Sequence, residues 1–105
     1  MDLDRLAAGL QVLGTLDPGA LPLHHAQVFL YIAQKQSVTY RELEEFFGIS
    51  NASSSRIINS LGETSGHRKN PLGLVMSYPD PADGRRYRVR LTKKGEQVLR
   101  TLKAL

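Results

Sequence analysis

The chain has 105 residues, 41% hydrophobic and 23% charged, a balance that suits one globular domain and excludes a disordered polymer. It has no cysteine, which excludes disulfides and cysteine-held zinc or iron–sulfur groups. The net charge of +4 is unevenly spread: residues 1–65 hold four Lys/Arg against seven Asp/Glu, whereas residues 66–105 hold ten against three, so the second part suits a polyanionic partner.

The start, Met1-Asp2-Leu3-Asp4-Arg5, is acidic and lacks the basic segment and apolar run of a signal peptide. With no apolar run near the ~20 residues of a membrane span, the expectation is a cytoplasmic protein without membrane contact. Leu3, Leu6, Ala7, Leu10, Leu13 and Leu16 recur at helical spacing and predict an N-terminal helix over residues 1–16. Asp17-Pro18-Gly19 ends it with turn chemistry. A second helix is expected over 22–34, where Val28, Phe29, Ile32 and Ala33 form a buried stripe.

Residues 39–61 read as a helix-turn-helix. Thr39-Tyr40-Arg41-Glu42 is a capping box, in which a hydroxyl and a glutamate three residues on satisfy orphan amides. Leu43, Phe46 and Phe47 supply the expected inward face, Gly48 stops the helix, and Ser50 can cap the next one. That helix, about Asn51 to Leu61, turns Ser54, Ile57, Ile58 and Leu61 inward, although an apolar residue would be expected where Ser54 stands. Its other edge carries Ala52, Ser55, Arg56 and Asn59, with Asn51 and Ser53 at the start. Arg56 suits guanine O6/N7, and Asn51 or Asn59 suits adenine.

The polar, glycine-bearing stretch from Gly62 to Asn70 reads as a loop. A hairpin is expected over 73–91, with a strand from Leu74 to Tyr78 and the turn-rich tip Pro79-Asp80-Pro81-Ala82-Asp83-Gly84. Beyond it Tyr87, Val89 and Leu91 alternate with Arg86, Arg88 and Arg90, which makes a strand with one cationic face. Arginines at such a tip, Arg85, Arg86 and Arg88, can enter the minor groove or grip phosphates. A last helix is expected over 92–105, capped by Thr92 and carrying Val98, Leu99, Leu102 and Leu105. The fold class is α+β, mostly α: a single winged helix-turn-helix domain over 1–105, with a two-stranded wing and flanking terminal helices.

His24 and His25 are neighbours pointing about 100° apart, and with His67 they complete no metal-ligand set. Ser53-Ser54-Ser55 has no histidine base nearby, Glu42 is absorbed by capping, and Glu44 and Glu45 are expected in solvent. No catalytic activity, cofactor or metal is expected.

The stretches Thr39-Tyr40-Arg41-Glu42-Leu43, Ser53 to Leu61 and, above all, Asp80-Pro81-Ala82-Asp83-Gly84-Arg85 leading to Leu91-Thr92-Lys93-Lys94-Gly95 resemble the MarR family of winged-helix regulators. The resemblance covers roughly residues 25–100. It implies that Asp83 holds the shape of the wing while Arg85 probes the minor groove, and that the terminal helices build a homodimer. The connection from Leu61 to Leu74 is longer than the family's link, and the flanking helices are shorter than those that frame its pocket for phenolic effectors. A pared-down regulator of this kind would suit a phage or mobile element. The expected function is sequence-specific binding of double-stranded DNA by a homodimeric transcriptional regulator, with Thr39 and Tyr40 at phosphate. The alternative is a winged-helix interaction module or accessory factor that docks onto host or phage transcription or replication proteins.

Overall fold

A computed structural model describes residues 2–17, 21–62 and 72–105. The turn expected at Pro18-Gly19 and the loop of Glu63 to Asn70, His67 included, lie outside the described residues. Helix α1 spans Leu3–Gly14 and α2 spans Leu23–Lys35. Strand β1, Val38–Thr39, leads directly into α3, Tyr40–Phe47, and α4 follows over Asn51–Leu61. Strands β2, Val75–Pro79, and β3, Tyr87–Leu91, form the hairpin, and α5 covers Lys93–Lys103.

Local chemistry sets most of these boundaries. The Asp2 carboxylate caps α1 by accepting from the amides of Asp4 and Arg5. The Ser50 hydroxyl accepts from the Ser53 amide at the head of α4, and the Thr92 hydroxyl accepts from the Gly95 amide at the head of α5. Gly48 ends α3 with φ +63, a left-handed conformation that glycine adopts without a Cβ clash.

The expected two-stranded wing is formed by β2 and β3, and a strand that the sequence did not announce, β1, completes a three-stranded antiparallel sheet in the order β1-β3-β2. The two residues Val38 and Thr39 pair with Val89 and Arg88, a run too short to show a period of two in the sequence. On the other side of β3, Val75 pairs with Leu91 and Tyr78 with Arg88. One sheet face turns Val38, Val75, Val89 and Leu91 into the core, where they meet Val28, Phe29 and Ile32 of α2, Leu43 of α3 and Ile57, Ile58 and Leu61 of α4.

Three inward expectations fail for geometric reasons. Phe46 is 63% exposed, because the face of α3 toward the core is taken by Leu43 and Phe46 lies instead on the ring of Tyr31, with centroids 4.4 Å apart. Tyr87 is exposed because the hairpin has left the core before reaching it. On α1 only Leu13 is buried, while Leu3, Leu6 and Leu10 stand in solvent. Ser54 is buried as expected, and its hydroxyl is satisfied by donating to the Asn51 carbonyl at 2.9 Å.

Gly95 marks a close approach of α5 to the sheet. A Cβ there would run into the Leu74 carbonyl oxygen and would stand 3.2 Å from the Leu91 Cβ. The Thr92 hydroxyl fastens the same corner by donating to the Gly73 carbonyl.

Candidate nucleic-acid interface

Helix α4 presents its outward edge through the 3.6-residue period, which puts Ala52, Ser55, Arg56 and Asn59 on one side and Ile57, Ile58 and Leu61 on the other. Ala52, Arg56 and Asn59 are exposed and Ser55 is half-buried. Among the described residues, Arg56 makes no ion pair and is free to extend. Ser53 is committed to the helix head, where its hydroxyl accepts from Ser50 at 3.1 Å. Asn51 is exposed but tethered: its amide nitrogen donates to a carboxylate oxygen of Glu44 at 3.2 Å.

The N-terminus of α3 lines a groove together with Asn51 at the head of α4. The Thr39 hydroxyl accepts from the Glu42 amide at 3.1 Å and donates to the Glu42 carboxylate at 3.2 Å. The reciprocal half of the expected capping box is thus made to the hydroxyl of Thr39. Tyr40 is half-buried, and its hydroxyl meets that of Ser77 on β2 at 2.9 Å. Arg41 is exposed and pairs with Glu45 at 3.0 Å along the helix.

The tip of the wing is built around two aspartates. Asp80 accepts from the Ala82 amide at 2.9 Å, and Asp83 accepts from the Arg85 amide at 3.1 Å. The Asp83 carboxylate also stands 3.5 Å from the guanidinium groups of both Arg85 and Arg86. These contacts are solvent-exposed and weak, and the Arg85 side chain remains 94% exposed, more than that of Arg86.

Arg88 has a different environment from Arg85 and Arg86. Its Nε donates to the Ser37 hydroxyl at 2.7 Å and its Nη2 to the Ser37 carbonyl at 3.3 Å. Its Nη1 stands 3.5 Å from Asp80, and the Ser37 hydroxyl meets that of Tyr78 at 2.6 Å. The side chain is only 26% exposed. Arg88 therefore ties the end of α2 and the outer strand β2 to the central strand. Arg90 lies over the ring of Tyr78 at 4.9 Å.

Part of this surface forms an open groove, lined by Thr39 at the end of β1, Tyr40, Arg41 and Glu44 of α3, Asn51 of α4, and Arg86 and Tyr87 of the wing. The structure brings the predicted residues Thr39, Tyr40, Asn51 and Arg86 together there. Arg56 and Ser53 line a separate hollow with His24, His25 and Ile49. Sequence reasoning missed Arg41, Glu44 and Tyr87. A cation one position after the predicted phosphate contacts pointed to Arg41, but no periodicity foretells that Glu44 crosses to Asn51.

Among the described residues, no group of three His, Asp or Glu side chains converges as for a metal, and no helix is long and apolar enough to cross a membrane.

No protein-family model matches the sequence, and no curated protein matches it. Solved structures do. A mutant of MarR from E. coli complexed with operator DNA aligns with a TM-score of 0.67 at 20% identity, over 96% of this chain and 67% of that one. A mutant of MepR from S. aureus bound to an oligodeoxyribonucleotide aligns at 0.69 and 18% identity, over 96% and 67%. A MarR-like transcriptional regulator from Thermotoga maritima aligns at 0.67 and 27% identity, over 80% of this chain and 54% of that one. The chain thus spans two thirds of the first two proteins and about half of the third. With its helix-turn-helix, its sheet-anchored wing and this likeness, the chain has the winged-helix fold of the MarR-type transcription regulators.

Proposed function

We propose that the protein is a sequence-specific regulator of transcription that binds double-stranded DNA as a homodimer and performs no catalysis. The observation that carries this reading is the open groove that joins the heads of α3 and α4 to the wing. Arg56 and Asn59 on the outward edge of α4 face base edges in the major groove. Arg85 and Arg86 extend from the wing toward the minor groove or its flanking phosphates, and Arg41 joins Thr39 and Tyr40 near the backbone. Arg88 acts by fixing the angle of the wing. Two of the similar structures hold DNA, which supports DNA as the ligand of this fold.

The homodimer is supported by α1 and α5. Leu6, Leu10, Leu102 and Leu105 line a shallow apolar hollow above Leu13 and Leu30, and a contiguous apolar surface of this kind calls for a partner. A twofold dimer would offer two α4 helices to half-sites about 10 base pairs apart. One observation favours a second reading, docking onto a transcription or replication protein: the exposed ring of Phe46, stacked on half-buried Tyr31 next to Phe47.

The test is fluorescence-polarisation binding across a salt series, with a random duplex and DNA flanking the protein's own gene. Salt-sensitive binding that prefers the flanking DNA is expected. No binding to either duplex at low salt would refute the reading and favour the protein partner.

A further inference from the structure

Glu44 is an acidic residue in a groove otherwise suited to phosphate, and it is held there from both directions. Its carbonyl accepts from the amides of Gly48 and Ile49, so the left-handed turn at Gly48 fixes its backbone. Its side chain crosses that turn to α4, where one carboxylate oxygen accepts from the Asn51 amide nitrogen at 3.2 Å and lies 3.5 Å from the hydroxyl of buried Ser54. The positive end of the α4 dipole favours a carboxylate at this place.

We propose that Glu44 is a positioning residue for base readout, holding the Asn51 amide in the orientation that selects adenine. The proposal rests on the DNA-binding reading above. A carboxylate only accepts hydrogen bonds, so Asn51 must turn its NH₂ group inward. That leaves Oδ1 and the second N–H of Asn51 for a base, an acceptor and a donor that match N6 and N7 of adenine. An untethered asparagine would sample both amide orientations and lose that freedom on binding. The same carboxylate repels phosphates lying in the groove of Arg41 and Arg86, so it lowers affinity for every duplex while sharpening the choice among them.

The experiment begins with selection from randomised duplexes by the full chain. Asn51→Ala then identifies the base pair that Asn51 reads. Glu44→Ala and Glu44→Gln are compared on the selected duplex, its variants at that pair and a scrambled duplex. Glu44→Ala should lower the adenine preference about tenfold and bind the scrambled duplex more tightly than the parent chain. Glu44→Gln, which keeps an acceptor without the charge, should gain the same scrambled-duplex affinity but retain most of the adenine preference. In the DNA-free protein, the side-chain NH₂ signals of Asn51 should shift in Glu44→Ala toward those of a solvated asparagine.

An adenine preference unchanged in Glu44→Ala overturns the proposal, as does a parallel loss of affinity on all duplexes, which a purely structural role would give. A parent chain with salt-sensitive binding but no base preference at the Asn51 position also overturns it, while leaving DNA binding intact. A parent chain that binds no duplex refutes both.

Discussion

Arg88 is the residue whose role most depends on the tertiary structure, and its removal makes the sharpest test. In Arg88→Ala, Ser37 loses two donated hydrogen bonds and Asp80, whose side chain is 13% exposed, loses the cation beside it. Hydrogen bonds to charged groups contribute about 1.5–3 kcal/mol where they are shielded from water. Partial exposure of the guanidinium and the 3.5 Å separation from Asp80 reduce the ionic share, so the expected loss is about 2 kcal/mol in all. For a domain of this size that corresponds to a fall in Tm of about 10 °C. Thermal and urea unfolding at fixed protein concentration would measure it, with the urea slope unchanged. Arg88→Lys should recover only part of the loss, since an ammonium lacks the planar fork that spans the Ser37 hydroxyl and carbonyl. Arg85→Ala, at a 94% exposed side chain, is the control and should melt with the parent. A melting point for Arg88→Ala within about 2 °C of the parent would refute the reasoning, and would return Arg88 to the cationic surface that strand alternation alone suggests.

Three further outcomes are expected. Arg56→Ala should lose about 1–3 kcal/mol on the cognate duplex and flatten one base preference, whereas Arg85→Ala should weaken all duplexes alike and reduce the salt slope by about one; equal losses on scrambled DNA would sink that division. Gly95→Ala should destabilise the fold by about 1–3 kcal/mol in urea, because its Cβ meets backbone at Leu74 and cannot be relieved by a rotamer change; an unchanged midpoint would show that α5 can lift away freely. Leu6→Asp combined with Leu10→Asp should yield a folded monomer by sedimentation and circular dichroism, since both side chains are exposed in the single chain; a parent chain that sediments as a monomer would refute the dimer.

Local chemistry carried much of the architecture into the sequence. The capping hydroxyls of Thr39, Ser50 and Thr92 and the stop at Gly48 mark helix ends because they act within a few residues of themselves. The helical period of Ile57, Ile58 and Leu61 separated a buried from an outward edge on α4, and the aspartate-rich turn announced the hairpin. The lopsided charge pointed to a polyanion because net charge does not depend on how the chain packs.

What stayed hidden depends on contacts between distant residues. The strand Val38–Thr39 exists only because β3 runs beside it, and two residues carry no period. Phe46 and Tyr31, fifteen positions apart, stack where α2 crosses α3, so helical spacing alone assigned Phe46 to the wrong side. Arg86 and Arg88 are equivalent in strand alternation, yet Ser37 and Asp80 enclose Arg88 and leave Arg86 in the groove. Glu44 reaches Asn51 only because the turn at Gly48 sets the crossing of α3 and α4. Periodicity and capping report which side of an element is apolar and where it ends; which polar groups meet is set by the angles at which elements cross, and those arise from packing the whole core at once.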